Sequence, residues 1–182
     1  FIGCAAGQCT SSGDYNVFLG QAGEENDGGN ANTFIGMRAG ACNDSGCHNH
    51  FIGYYAGYNS NKCCNIAIGG YALNGASGSG LTGNSNIAIG HCAGKDITSG
   101  AYNVALGFCA LGTSGTALTG GCNIALGQGA GAAMTSGAVN VIMGLNAGKC
   151  FTTATDNVIL GCYAAKNSIS LCANIIMGME TG

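Results

Sequence analysis

"NIAIGHCAG", residues 86–94, returns through the chain with small changes: "NIAIGGYAL" at 65–73, "NVALGFCAL" at 103–111, "NIALGQGAG" at 123–131. Asn opens each copy, a short aliphatic run follows, and Gly closes the run. Aligned on that closing Gly, the copies have anchors at Gly3, Gly20, Gly36, Gly53, Gly69, Gly90, Gly107, Gly127, Gly144, Gly161 and Gly178, spaced by 16 to 21 residues. A fixed period of this length is the signature of a repeat architecture. The repeats fill residues 1–182 as a single domain and leave no room for a second.

The columns of this alignment carry the fold. Four residues before the anchor stands Asn: Asn16, Asn32, Asn49, Asn65, Asn86, Asn103, Asn123, Asn140, Asn157 and Asn174. A large aliphatic residue directly precedes every anchor, and Ala follows most anchors by three. The rest of each repeat is Ser, Thr, Gly, Asn and Asp. Apolar runs of three or four residues, rich in Ile and Val and closed by Gly, read as strands and not helices. The sequence therefore predicts an all-β fold, a parallel β-solenoid or β-roll of about eleven coils. At a strand spacing of about 4.8 Å it would form a rod roughly 50 Å long. In such a rod the Asn column becomes a ladder that satisfies turn backbone groups beyond the reach of water.

Two residues before the anchor the chain reads Phe1, Phe18, Phe34, Phe51, then Ala67, Ala88, Ala105, Ala125, then Ile142, Ile159, Ile176. Strand side chains alternate between faces. With the aliphatic neighbours assigned to the coil interior, this column points outward, and its cover would be another chain. The alternative is a second internal layer within the coil.

Composition narrows the function classes. The chain has 35 Gly, no Pro, 7% charged residues and net charge −3. Five Lys and Arg form no basic patch, which argues against nucleic-acid binding. No apolar run approaches the length of a membrane span, so membrane insertion is not expected. Twelve Cys without a CxxC pair favour an oxidising, extracellular setting. Cys92 with Cys109 and Cys47 with Cys63 occupy shared columns in neighbouring coils, at a Cα spacing that a disulfide accepts. The alternative is buried free thiols. Cys4, Cys9, Cys150, Cys162 and Cys172 cluster towards the two ends of the chain and are candidates for links between subunits.

Other motifs are weaker. "CNDSGCHNH", 42–50, has the residue types that zinc or copper prefers, but turn residues with a bridge explain it better. The acidic "EENDGG", 24–29, does not recur and reads as a solvated turn and not a calcium loop. Asn43 heads the one glycosylation sequon. No catalytic set appears, so no enzyme, cofactor or metal site is expected.

"NVALG", "NIAIG" and "NTFIG", each followed by "xxAG" or "xxAL", resemble the head repeats of trimeric autotransporter adhesins and related repeats of phage tail fibres. The resemblance implies a left-handed β-roll with three chains side by side and apolar residues facing a threefold axis. The expected function is a structural subunit of an extracellular, self-assembling filament or fibre whose partner is itself. Neither terminal phrase, "FIGCAAG" or "IIMGMETG", reads as a polar cap, which favours end-to-end addition. The competing expectation is an adhesin head or tail-fibre shaft whose longer loops, near 74–85 and 112–122, touch a receptor or glycan.

Overall fold

The structure is a computed structural model that describes residues 2–75, 80–112 and 115–180. Ten repeats each give one three-residue strand: β1 Val17–Leu19, β2 Thr33–Ile35, β3 His50–Ile52, β4 Ile66–Ile68, β5 Ile87–Ile89, β6 Val104–Leu106, β7 Ile124–Leu126, β8 Val141–Met143, β9 Val158–Leu160 and β10 Ile175–Met177. Neighbours in sequence are neighbours in one sheet, ordered β1 to β10. Every pair is parallel and every column stays in register, as with Phe34 on Phe51 and Ala67 on Ala88. The chain is a parallel β-solenoid, and no described residue is helical. The turn count is smaller than the eleven repeats of the sequence. Nine turns join β1 to β10, and the first repeat adds only the parallel bridge of Ile2 to Leu19. The rod is accordingly about 43 Å long between its end strands.

Branched aliphatic residues fill the strands because they stack well on a pleated surface. The anchor glycine ends each strand at a backbone angle that a side chain resists, φ +133° at Gly90. It also touches the next coil: a Cβ on Gly90 would stand 2.6 Å from the Gly107 carbonyl oxygen.

The corners use left-handed backbone on a large scale. Among the described residues, 22 non-glycine residues have φ between +46° and +63°, against a few per cent in ordinary proteins. They fall in three columns. Tyr55 and Cys92 stand two after their anchors, Leu73 and Leu111 four after, and His48 and Val139 directly before the ladder Asn. Val139 is the least suited, since it is β-branched, lies at φ 58° and is exposed. Val139→Gly is expected to raise stability by about 1 kcal/mol, the strain relieved less the entropy that glycine adds to the unfolded chain. Urea denaturation checks this; an unchanged or lower midpoint refutes it.

The core reverses one expectation. The middle residue of each strand points into the coil: Phe18, Phe34, Phe51, Ala67, Ala88, Ala105, Ala125, Ile142 and Ile159 are no more than 1% exposed. Ile176 packs against the same cluster, and Phe1 lies outside the described residues. The column read as an interface with another chain thus lines the rod's own interior. The turn is the reason. After each anchor the chain doubles back and lays the small Ala column (Ala39, Ala56, Ala93, Ala130, Ala147) and the residue after it beneath the strand's central side chain. A Cβ on Gly40 would stand 2.6 Å from the Phe34 ring.

Packing also explains the blocks of Phe, Ala and Ile. Where the strand supplies Phe, the turn has Gly23, Gly40 or Gly57, and the far wall has Asn26, Asn43 or Ser60. Where the strand supplies Ala, the space is filled by Leu73 and Leu111 and by Leu81, Ile97, Leu118 and Met134. The Ile142 coil has Phe151 opposite. One wall gains volume where the other loses it, as close packing requires. Along the rod the rings of Phe18, Phe34 and Phe51 stack at 5.2 and 5.0 Å.

The Asn column forms a continuous hydrogen-bonded ladder. The main-chain N–H of Asn103 donates to Asn86 Oδ1 at 2.9 Å, and that of Asn123 donates to Asn103 Oδ1 at 3.0 Å. From Asn16 to Asn157 each Nδ2 also reaches a turn carbonyl of the next coil, as Asn86 does to Gly100 at 2.9 Å and Asn123 to Gly137 at 2.9 Å. From Asn32 to Asn157 the column is buried. A shorter Asn pair runs beside it in the Phe coils, with Asn43 Nδ2 donating to Asn26 Oδ1 at 2.6 Å.

Candidate functional site

With the strand centres turned inward, their two neighbours face out. Every strand from β1 to β9 has a buried centre between exposed or half-exposed flanks. Of the twenty flanking residues, all but Thr33 and His50 are aliphatic or Met. The result is a straight stripe of Val, Ile, Leu and Met down the outer face. Val17 is 55% exposed, Leu19 42%, Ile68 37% and Ile124 39%. Two residues wide and nine turns long, the stripe covers on the order of 400–450 Å². A face of that size lies within the roughly 300–600 Å² of a typical monomer's largest apolar patch, which is often a functional one. Sequence reasoning found both apolar faces but exchanged them. Alternation cannot say which face is inner; only the closure of the turn decides.

All twelve cysteines are free thiols. The two expected bridges, Cys47 to Cys63 and Cys92 to Cys109, are therefore corrected. These four lie in the turns and not on the strands, and stacked positions of successive coils hold their Cβ atoms about as far apart as the coils, about 4.8 Å, whereas a disulfide prefers about 3.8 Å. The sulfurs have other work. Cys63 Sγ accepts the main-chain N–H of Cys47 at 3.2 Å, and Cys47 Sγ accepts that of Asn30 at 3.4 Å. Asn84 Oδ1 plays the same part for the N–H of Cys63 at 3.2 Å, so cysteine here substitutes for Asn in a second ladder. Burial, with the Cys92 thiol beside it, pushes the Cys109 thiol above its ordinary pKa and keeps it from forming a reactive thiolate. Burial also raises Cys42, against the opposing hydrogen bond with Tyr58. Of the residues read as subunit links, Cys4, Cys9 and Cys172 are exposed, and Cys150 and Cys162 are half-buried.

The remaining motifs resolve locally. No three His, Cys, Asp or Glu among the described residues come together as a metal site. His48 occupies a left-handed corner and His50 opens β3 facing outward. Asn43, head of the sequon, is fully buried with its amide engaged by Asn26 and Gly46, so the folded chain offers no acceptor there. In the acidic stretch, Glu24 accepts from Gln21 and Asp27 from Ser11. The tips of the two longer loops, 76–79 and 113–114, lie outside the described residues.

A second surface runs along the turns that follow the anchors. Tyr54, Tyr55, Tyr58, Tyr71, His91 and Phe108 form a connected aromatic column over four coils. Tyr55 stacks on Tyr71 at 5.6 Å and His91 on Phe108 at 5.7 Å, with Tyr71 edge-on to His91 at 5.9 Å. Arg38 closes one end, donating to the Tyr55 hydroxyl at 2.9 Å. At the other end the next coil has Gln128 and Gly129 in place of aromatic residues. An open pocket of about 190 Å³ lies there, lined by Phe108, Cys109, Gln128, Gly129, Ala132, Asn146 and Lys149. Aligning the first and second residues after each anchor would have exposed this column in the sequence.

No protein-family model, curated protein or solved structure matches the chain.

Proposed function

We propose that the chain is a structural subunit of an extracellular fibre, in which rods pack side by side through the aliphatic outer face of the sheet. The observation that carries this reading is the stripe itself, regular to one residue over nine turns and open to water in a single rod. Two such faces laid together remove roughly 900 Å² from water, the size of a weak contact that gains strength only by repetition along a fibre and short of the roughly 1,200 Å² of a stable pair. Exposed thiols at Cys4, Cys9 and Cys172 suit cross-links between rods in an oxidising medium, since the chain's own stacked cysteines stay unbridged. The resemblance of the repeat phrase to adhesin heads and tail fibres favours a second arrangement of the same face, three rods around a common axis.

The test is Ile68→Lys with Ile124→Lys, two outward positions three coils apart. Because both side chains already meet water in the single rod, stability is expected to fall by less than about 1 kcal/mol. Sedimentation of the parent protein is expected to show laterally associated rods, and the double variant single rods. A parent that stays a single rod at high concentration overturns the reading.

A further inference from the structure

The aromatic column ends abruptly. His91 covers one face of the Phe108 ring at 5.7 Å and an interplanar angle of 19°, and Phe108 lines the pocket that follows. One coil further on, the column has Gln128 and the buried Gly129, which has no side chain to continue the stack. Asn146 leans over Gly129 so closely that a Cβ there would overlap its side-chain oxygen. The gap lies where the stack stops. Its volume, about 190 Å³, is well below that of a drug-sized pocket and suits a single ring. Its walls are unlike one another: the Phe108 ring, the amide side chains Gln128 and Asn146, and the exposed Lys149, with no carboxylate among the lining residues.

We propose that this gap binds one pyranose ring bearing a carboxylate, a hexuronate unit of an acidic glycan. A pyranose has a C–H face that lies flat on an aromatic ring, and hydroxyls at its edge. Side-chain amides both donate and accept, so they match adjacent hydroxyls. The carboxylate meets Lys149 at the open side, where the pair is solvated and its contribution small. A purely apolar ring leaves the two amides and the ammonium unmatched. A neutral sugar leaves only the ammonium so. The proposal does not rest on the fibre reading, since the pocket lies on the turns and not on the outer sheet face.

The experiment is an amide-resolved NMR titration of the full chain with glucuronate, glucose and benzoate. Saturable shifts confined to the neighbourhood of Phe108, Gly129 and Asn146 are expected with glucuronate at millimolar concentration. Phe108→Ala is expected to weaken binding about fivefold, the worth of one ring contact. Lys149→Gln is expected to remove the preference for glucuronate over glucose and leave glucose unchanged. Both side chains are exposed, and an unchanged spectrum elsewhere reports an intact rod. Benzoate binding as tightly as glucuronate overturns the sugar assignment. Shifts that never saturate, or that persist in Phe108→Ala, overturn the site.

Discussion

Gly90→Ala is expected to cost about 4 kcal/mol through backbone strain and overpacking together. Gly90 has φ +133°, a region closed to side chains. Its added Cβ would also press on Gly107, 2.6 Å from the carbonyl oxygen and 2.8 Å from the carbonyl carbon. Neither atom can swing aside, because both belong to the backbone of the next coil. In a stack of nearest-neighbour contacts the fault weakens one interface directly and divides the rod there. Urea denaturation followed by circular dichroism is expected to show an early partial transition. A variant within 1 kcal/mol of the parent would mean that the coils are not held as tightly as the geometry implies.

Asn103→Ala is the second. The Asn103 oxygen accepts from the main chain and the side chain of Asn123, both at 3.0 Å, and its Nδ2 donates to Gly120 at 3.1 Å. Both asparagines are fully buried. Truncation orphans the N–H of Asn123 and the carbonyl of Gly120, for a cost of about 3–5 kcal/mol. Asn103→Asp separates the two halves of this account. It keeps the acceptor and loses the donor, and burial raises the new carboxyl above its ordinary value near 4. The folded state then holds its proton more tightly than the unfolded state does. Stability is retained below the unfolded value and lost as pH rises through the folded one. The gap between variant and parent is therefore expected to widen from pH 4 to pH 7 in thermal melts. A gap independent of pH would mean that water reaches the ladder.

Period, strand position and the Asn column were legible because each is a relation between a residue and its counterpart one coil away. Asn86, Asn103 and Asn123 stack because the phrase around them repeats. What stayed hidden depends on relations within one coil. Phe34 points inward because Gly40 makes room for its ring, and Ala67 is accommodated by Leu73. Reading the strand alone, Phe34 and Ile35 are equally good core residues. The cysteines failed for a related reason. Cys92 and Cys109 share a column, and a shared column fixes their Cα spacing within reach of a bridge, but in their left-handed turns it does not bring the Cβ atoms close enough. The aromatic column was present in the sequence but lay in the positions that drift from repeat to repeat, where no single residue type marks the register.

The ladder also gives the rod a polarity. From Asn16 to Asn174, each later asparagine offers its main-chain N–H to the oxygen of the one before it, and the relation is never reversed. One end of the column therefore presents an acceptor and the other a donor. Two rods meeting by like ends would set donor against donor or acceptor against acceptor. Rods meeting by unlike ends would add a rung, so any axial joint along this column has the sense of an arrow.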